Sequence, residues 1–456
     1  MKTKGTLYLL LIITALLYSC DGSKETTEQN VRLKGQLINL GGNEVRMIYN
    51  GASSMVGNSR DIIIETDDQG NFDTTLVIEE PAYYNISRNT LYLSPGDDIT
   101  VRITSSNTEA EFSGTGAAVN NYMKYRLFPK GGSYLEAGRN IKGEYLTTKN
   151  TIDSLAEIRL NELDTLTDAS AEFKRLETAR VKADIINSYF MYPTYASSVK
   201  QRGNLDFELP GRDTLLNMMA PHVKPLLEDI NDPDFLDIAV VRDVFSYSND
   251  SLYNAIFFSD LTLPDRTEEL LASAKEVRKL TGEITPETAN ELTAYTGGLS
   301  NRDFANEIEY KLDQAKRLFA GQPAIDFSIT DTDGNTMMLS DLKGKVLYID
   351  LWATWCGPCL QEAPHYEALA EKFSDDDEVL FVPISTDRTT DVWHEYLAKN
   401  EKSLKQYHTV DTQLVEGWSL IFIPRFLLID KDFNIVSAYA PRPSEEGTEE
   451  LLRSLL

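Results

Sequence analysis

The sequence predicts a multidomain protein with an N-terminal all-β domain, an α-helical middle region and a C-terminal α/β domain. Three successive patterns of apolar residues support this prediction. Apolar residues alternate with polar ones over residues 31–115, recur at helical spacing over 116–320, and form short runs between helical segments over 322–456. A chain of 456 residues has room for two or three domains, since one domain usually takes about 100–200 residues.

The composition excludes several functional classes. The chain has 44 Lys and Arg against 71 Asp and Glu, which gives a formal net charge of −27. Polyanion binding depends mainly on Lys and Arg, so this acidic excess argues against nucleic acid as a partner and against direct adhesion to anionic lipid headgroups. Hydrophobic residues make up 42% of the chain, which is enough to build ordinary cores and excludes a wholly disordered protein.

The N-terminus predicts an export signal. Lys2 and Lys4 precede an almost unbroken apolar stretch over residues 7–18. This stretch is too short for a helix that spans a bilayer, which needs about 20 residues, but it suits the apolar segment of a signal peptide. No later run of apolar residues is long enough to predict a membrane span.

The end of this stretch, Leu-Tyr-Ser-Cys at 17–20, resembles the bacterial lipobox. The resemblance implies that residues 1–19 are a lipoprotein signal peptide and that Cys20 carries the lipid after cleavage. Residues 20–30 are polar and are predicted to form a flexible tether to the membrane. Ordinary secretion with an incidental Cys20 is the alternative.

Residues 31–115 are predicted to form an antiparallel β-domain of the sandwich type. Apolar residues alternate over 31–37 and, more loosely, over 72–78. Turn-forming segments at 67–71 and 94–98 each lie between two apolar runs, which predicts a hairpin at each segment.

Residues 116–320 are predicted to be helical. Asp265 and Glu268 have the spacing of a capping box at a helix start, and Thr285-Pro286 predicts another start, because proline is favoured at the first helical position. His222 has no cysteine beside it, so a metal site in this region has little support. The sequence assigns no function to this region.

After residue 322 the pattern predicts an α/β domain. Segments 325–329 and 337–339 predict a hairpin, and the apolar run at 346–351 predicts a buried strand. Helical spacing follows over 360–373. The chain therefore passes from a buried strand into a helix through a short connection.

That connection contains the motif Cys356-Gly357-Pro358-Cys359. Unpaired N–H groups and the macrodipole at a helix N-terminus stabilise a thiolate, so Cys356 is predicted to attack disulfides and Cys359 to resolve the mixed disulfide. Pro358 removes a backbone donor beside the pair and stiffens the loop. A structural zinc site needs four ligands and no second Cys-x-x-Cys motif is present, so we predict no metal and no bound cofactor.

The segment from Asp350 to Cys359 is similar to the active-site strand and loop of thioredoxin-fold proteins. Glu362 and Pro364 extend the motif to Cys-x-x-Glu-x-Pro, which resembles the TlpA and ResA type of thiol–disulfide oxidoreductase. The resemblance covers residues 322–456 and implies a thioredoxin fold there. In envelope lipoproteins of this kind, a small β-domain of unknown function often follows the lipobox, and residues 31–115 resemble it in their spacing.

The resemblance implies roles for two carboxyl groups. Asp350 matches the buried acid that moves a proton to and from the resolving Cys359, and burial in an apolar strand would raise its pKa. Glu362 would tune the basicity of the thiols. A surface aspartate at a strand end and a solvated helix residue remain the structural alternatives for these two positions.

Ile423-Pro424 matches the cis-proline that faces the redox pair in this family, where the preceding backbone binds a partner as an extra strand. Arg425 differs from the small or hydroxyl residue often found after this proline. Trp355 packs beside the sulfur in the family. The predicted substrate-binding residues are therefore Trp355, Gly357, Pro358, Ile423 and Pro424.

The predicted function is that of a lipid-anchored, periplasm-facing thiol–disulfide oxidoreductase of the bacterial envelope that reduces disulfides in exported proteins. A reductase in an oxidising compartment must be recharged, which implies a membrane electron donor of the DsbD or CcdA kind. Two alternatives stay open: an oxidase or isomerase on the same fold, and an assembly or binding lipoprotein whose redox domain is ancillary.

Overall fold

The computed structural model describes residues 30–40, 43–125, 127 and 133–456. The predicted signal peptide at 1–19, the lipidation site Cys20 and residues 20–29 of the predicted tether lie outside the described residues. Within the described residues, no helix is both long enough and apolar enough to cross a membrane.

The N-terminal strands form two sheets. Their bounds are β1 (Asn30–Leu37), β2 (Glu44–Tyr49), β3 (Ile62–Glu65), β4 (Asn71–Val77), β5 (Ala82–Ile86), β6 (Asn89–Leu93), β7 (Asp98–Ile103) and β8 (Glu111–Gly114). One sheet has the strand order β4-β1-β7-β8 and the other has the order β3-β2-β5-β6. Buried side chains of both sheets belong to one core, as expected when every second residue of a strand faces inward. The predicted sandwich is confirmed.

Both predicted hairpins of the sandwich are wrong. Residues 67–71 connect β3 to β4, and residues 94–98 connect β6 to β7, and each connection passes from one sheet to the other. The prediction of a purely antiparallel domain is also wrong, because β1 and β7 pair in parallel. A tight turn has the same sequence features whether it closes a hairpin or connects two sheets. Strand pairing is decided instead by which inner faces must be buried together.

The middle region consists of helices. Their bounds are α1 (Ala117–Met123), α2 (Tyr145–Asp164), α3 (Ala171–Gln201), α4 (Arg212–Asp229), α5 (Ala239–Ser246), α6 (Ser251–Tyr253), α7 (Asp265–Glu276), α8 (Pro286–Gly297) and α9 (Arg302–Lys316). The predicted start at Pro286 is confirmed, and the Thr285 side chain caps α8 by accepting from the Thr288 N–H. The capping box at Asp265 is wrong, because Pro264 occupies the N-cap position and Asp265 is already helical.

The helices and the sandwich share one hydrophobic core. Tyr83 and Tyr92 of the sandwich belong to the same cluster as the buried face of α3. The rings of Tyr92 and Phe173 lie 4.9 Å apart, and the Tyr83 hydroxyl donates to Glu177 Oε1 over 2.9 Å. We call the sandwich and the helical region together the body of the protein.

The C-terminal region contains one mixed sheet with helices on it. Its elements are β9 (Ser328–Asp331), β10 (Thr336–Met338), β11 (Val346–Trp352), α10 (Gly357–Glu371), β12 (Val379–Ser385), α11 (Thr390–Leu397), β13 (Tyr407–His408), α12 (Thr412–Glu416), β14 (Arg425–Ile429), β15 (Ile435–Ala440) and α13 (Thr448–Arg453). The strand order is β10-β9-β13-β12-β11-β14-β15.

Every residue of β11 is buried, and the strand pairs in parallel with β12 and antiparallel with β14. The predicted hairpin between β9 and β10 and the predicted buried strand are confirmed. The described residues therefore have the predicted multidomain architecture: an all-β region, a helical region and a C-terminal thioredoxin fold.

Candidate active site

The redox pair lies where β11 leads into α10. Cys356 is the N-cap residue of α10 and forms a disulfide with Cys359, with an S–S distance of 2.04 Å. The Cys359 backbone N–H donates to Cys356 Sγ over 3.2 Å. The first sulfur of the motif therefore occupies the place where a helix N-terminus stabilises negative charge.

The two cysteines are buried on one side and flanked by exposed residues on the other. Cys356 is 4% exposed and Cys359 is 1% exposed, and both belong to a cluster with Trp352 and Trp393. Trp355, by contrast, is 71% exposed. Gly357 and Pro358 are exposed as well. A disulfide partner would reach the pair over this exposed edge of the loop.

The Ile423–Pro424 peptide bond is cis, and it comes directly before β14. Ile423 packs against the cluster that contains both cysteines. The two residues before it, Ile421 and Phe422, are exposed. The structure thus places the predicted cis-proline segment beside the redox pair and leaves an apolar surface next to it.

Asp350 lies in the buried central strand β11, opposite Pro383 of β12 and Phe426 of β14. Its Oδ1 atom makes no hydrogen bond in the described part of the chain. Burial raises the pKa of Asp350 to about 8, while the charge of Lys402 lowers it and that of Glu362 raises it further. This carboxyl group can therefore hold or release a proton close to neutral pH.

Asp350 and Cys359 line one small cavity. Trp352 and Lys402 also line it, and its volume is about 20 Å³. A cavity of that size has room for about one water molecule when polar groups line it. Asp350 and Cys359 therefore both border a space with room for the water molecule that a proton transfer between them would need.

Glu362 is a buried residue of α10. The Ser444 hydroxyl donates to its Oε1 atom over 2.9 Å, and Arg442 Nη1 lies 3.7 Å from the same oxygen. The carboxylate is thus held between the helix and the segment after β15. Its electrostatic effect acts on Asp350, which it makes harder to ionise.

Asp387, which the sequence analysis did not single out, holds the loop before the redox pair. The Thr354 N–H donates to Asp387 Oδ2 over 3.0 Å, and the Thr354 hydroxyl donates to Oδ1 over 2.8 Å. Ser385 donates a third hydrogen bond to this buried carboxylate, over 2.8 Å. Asp387 lies two residues after the end of β12, and a carboxylate near a strand end next to an active-site loop is the signal that could have identified it.

The buried side chain of Arg425 stabilises the cis-proline segment by hydrogen bonds to backbone carbonyl groups. It is buried, and its Nη1 donates to the Ser419 carbonyl over 3.0 Å while its Nε donates to the Ala438 carbonyl over 2.9 Å. Its guanidinium carbon lies 3.9 Å from the centre of the Tyr439 ring. Burial lowers the pKa of Arg425. The unusual residue after the cis-proline is thus a structural support for the loop before it.

Residues 319–456 match the family model described as Redoxin. Thiol-disulfide oxidoreductase ResA of Bacillus thuringiensis subsp. konkukian is 25% identical over 140 residues, which cover 31% of this chain and 80% of ResA. Thioredoxin-like protein YneN of Bacillus subtilis is 34% identical over 122 residues, 26% of this chain and 60% of YneN. A crystal structure of a candidate thiol-disulfide oxidoreductase from Bacteroides vulgatus is 56% identical and covers 31% of this chain and 100% of its own, with a TM-score of 0.31.

The Redoxin model covers the part of the chain that contains the redox pair, and the body lies outside it. In the described residues, no group of three or more His, Cys, Asp or Glu side chains could hold a metal ion. The reactive groups that the fold brings together at the site are the two sulfurs and the carboxyl group of Asp350. Residues 319–456 therefore form a Redoxin domain that is similar to ResA, and the chain is a thiol–disulfide oxidoreductase.

Proposed function

We propose that the protein reduces disulfide bonds of exported proteins in the bacterial cell envelope, where Cys20 anchors it by a lipid to a membrane and the Redoxin domain faces the periplasm. The observation that carries the proposed chemistry is the water-sized cavity that both Asp350 and Cys359 line, beside a sulfur at the α10 N-terminus. Cell fractionation of a Cys20→Ser variant tests the anchor, since the variant should leave the membrane fraction.

The reaction begins with the thiolate of Cys356, which attacks one sulfur of the substrate disulfide. A Cys356–substrate bond forms, the substrate S–S bond breaks, and the released sulfur takes a proton from solvent. Asp350 then accepts the proton of the Cys359 thiol through the cavity, and the Cys359 thiolate attacks the Cys356 sulfur. This second step forms the Cys356–Cys359 disulfide and breaks the Cys356–substrate bond. The other substrate sulfur leaves as a thiolate and takes up the proton that Asp350 accepted, so the substrate is reduced by two electrons and two protons.

Binding and orientation come from the exposed edge of the site. The backbone before Pro424 would pair with an extended substrate segment as an added strand. Trp355, Gly357 and Pro358 would form the other side of the contact, because they are the exposed residues of the redox loop. Glu362 would tune thiol basicity through its charge on Asp350.

The Gly-Pro spacer between the two cysteines resembles that of thioredoxin, and this favours reduction over oxidation of substrates. Thioredoxin has a potential of about −270 mV, whereas strong oxidants of this fold lie near about −120 mV. A reductase in an oxidising compartment needs an electron supply, so we propose a membrane donor of the DsbD or CcdA type. That donor would return two electrons to the Cys356–Cys359 disulfide after each turnover.

The decisive measurement is the reduction potential of the full chain, equilibrated against thiol buffers. We expect a value near or below about −250 mV. A value above about −180 mV would reverse the proposed direction and favour the oxidase or isomerase alternative.

Trapping tests the order of attack. Cys359→Ser should accumulate a mixed disulfide between Cys356 and its substrate, because the resolving thiol is gone. The matched variant Cys356→Ser should form no adduct and show no turnover. Non-reducing gels of both variants, followed by mass spectrometry, report the result, and absence of an adduct with Cys359→Ser would contradict the assignment.

A further inference from the structure

A cleft with a volume of about 890 Å³ lies between the body and the Redoxin domain. Ligand pockets usually measure about 300–1,000 Å³, so several residues of an extended peptide would fit. The sandwich, the helices and the Redoxin domain all contribute to its walls, among others through Arg46, Ile63, Gly282, Lys311, Ser419 and Ile421.

One wall of the cleft continues into the redox site. Residues 419–421 line the cleft, and the cis Ile423–Pro424 bond follows two residues later. From Ile421 to Pro424 an extended backbone spans at most about 11 Å. A polypeptide that reacts at Cys356 and pairs with the backbone before Pro424 therefore needs only about three or four further residues to enter the cleft.

The side chains of the cleft suit a polypeptide with apolar and acidic residues. Ile421 is 66% exposed, and Ile63 and Tyr310 are also exposed large side chains. Lys311 is half-buried and makes no ion pair within 4.0 Å in the part of the chain that the structure describes. Burial lowers the pKa of Lys311, while the negative charges of Glu307 and Asp61 raise it and only partly offset the effect of burial.

Both of those acids are already engaged. Glu307 accepts hydrogen bonds from the Ser59 N–H and hydroxyl over 2.9 and 2.8 Å. Asp61 accepts from the Tyr49 N–H over 3.0 Å and lies 3.6 Å from Arg46 Nη1. The ammonium group of Lys311 therefore keeps its capacity to bind a carboxylate. Arg46, Arg317, Glu283 and Glu416 also line the cleft, so its formal charges balance, and Arg46 is already paired with Asp61 and Glu416. Lys311 and Arg317 form no ion pair within 4.0 Å in the described residues, so they are the cations that an incoming carboxylate can bind.

We propose that this cleft binds an extended, acidic segment of the disulfide-containing substrate, on one side of its reacting cysteine. The inference rests on the proposed function, and it gives the body a role in substrate selection. The Redoxin domain performs the exchange, while Lys311 and the apolar wall choose which polypeptides reach it.

The test uses the full chain, reduced with dithiothreitol and then freed of it, in single-turnover reactions. The small probe is the neutral 2,2′-dithiodipyridine. The peptide probes are short peptides with one cysteine as a thiopyridyl mixed disulfide and, about four residues away, either two Glu or two Lys residues. The measured quantity is the ratio of the rate constant for each peptide to that for the small disulfide.

Gly282→Trp fills the cleft, because a side chain at this lining residue meets nothing within 4 Å of its Cβ. Gly211→Trp is the matched control, since its Cβ also meets nothing within 4 Å and it lies outside the lining. Lys311→Glu reverses the proposed anchor. Lys316→Glu is its control on the same helix, since Lys316 is not part of the lining.

We expect the ratio for the Glu peptide to fall about tenfold or more in Gly282→Trp and in Lys311→Glu, and to stay unchanged in both controls. In Lys311→Glu the ratio for the Lys peptide should rise. Unchanged ratios in both cleft variants, or an equal loss for Glu and Lys peptides in Lys311→Glu, would overturn the inference.

A binding measurement separates this inference from the proposed function. A fluorescent Glu peptide with serine in place of cysteine should bind the wild-type chain, measured by anisotropy, and bind more weakly to Gly282→Trp but not to Gly211→Trp. If 2,2′-dithiodipyridine is not turned over, the proposed function fails, whereas equal peptide binding by the wild type and Gly282→Trp refutes the cleft alone.

Discussion

The body and the Redoxin domain use buried charge in different ways. In the body, Glu177 and Arg180 are both buried, and Arg180 Nε donates to Glu177 Oε1 over 3.0 Å. In the Redoxin domain, Asp350 and Arg425 are equally buried, yet neither makes an ion pair within 4.0 Å in the described residues. The first arrangement lies within helix α3, where Glu177 also accepts from the Tyr83 hydroxyl of the sandwich, and the second lies next to the redox pair.

The comparison teaches how burial can serve structure or chemistry. A buried pair of opposite charges stays ionised, because each charge compensates the other, and breaking it is costly. A buried carboxyl group without a cationic partner in contact is instead driven toward its neutral form, and so it can exchange a proton near neutral pH. Asp350 belongs to this second type.

The largest effect that would test this contrast is expected for Asp350→Asn. Because the folded-state pKa of Asp350 is raised to about 8, the folded protein keeps a proton that the unfolded chain loses near its ordinary pKa of about 4. The wild-type free energy of unfolding should therefore fall as the pH rises from about 4 to about 8 and then level off. The asparagine variant lacks this loss, so we expect it to be more stable by up to about 5 kcal/mol at pH 8.

Urea unfolding of the oxidised protein at pH 4, 6 and 8 measures this difference. Asp375→Asn, at an exposed position of the same domain, is the matched control and should show no such trend. The resolving step should also slow in Asp350→Asn and lose its pH dependence near pH 8. A stability difference that does not change between pH 4 and pH 8 would contradict the prediction.

A smaller effect is expected in the body from Tyr83→Phe. The change removes the hydroxyl that donates to Glu177 Oε1 at 2.9 Å in a buried site. Leaving a buried charged acceptor without this donor should cost about 1–3 kcal/mol in the free energy of unfolding. The reduction potential should stay the same, since Tyr83 belongs to the core of the body and not to the redox cluster.

The neighbouring Tyr84→Phe is the control for this measurement. Tyr84 is also buried in β5, and its hydroxyl makes no hydrogen bond in the described part of the chain. It should therefore lose clearly less stability than Tyr83→Phe. Equal losses for the two variants would show that the hydroxyl contact with Glu177 does not stabilise the body.

The smallest effect on the free energy of unfolding is expected from removing an exposed ion pair between the body and the Redoxin domain. Arg46 Nη2 lies 2.5 Å from Glu416 Oε1, and both side chains are more than a third exposed. Exposed ion pairs contribute about 0–1 kcal/mol, and salt weakens them further. Glu416→Gln should thus lower the free energy of unfolding by no more than about 1 kcal/mol. Glu80→Gln is the control, because Glu80 is exposed and belongs to no ion pair of the described residues.

The sequence predicted the elements of the Redoxin domain better than the pairing of the sandwich. Strand β11 and the hairpin of β9 and β10 are local patterns of apolar runs and turns, so they can be read residue by residue. Whether the segments at 67–71 and 94–98 close a hairpin or change sheet depends on which distant strand covers each inner face. Local turn chemistry does not contain that information.

The site shows the same difference between features that are local in sequence and contacts between distant segments. The two cysteines and Pro424 were predictable because motif and spacing identify them along the chain. Asp387, in contrast, acts on Thr354 across 33 positions, and Lys402 approaches Asp350 from the segment after α11. Such contacts exist only once the sheet has formed. Arg425 was noticed as a departure from the family, but its bonds to Ser419 and Ala438 could not be inferred from the sequence.

The shared core of the body has a consequence for how the chain unfolds. Since Tyr83 and Tyr92 pack among helical residues such as Phe173, neither the sandwich nor the helices can open without exposing the apolar surface of the other. The two should therefore melt in one cooperative transition. The Redoxin domain has separate clusters of its own and can melt independently. In energetic terms the protein consists of two units, although along the chain it has three regions.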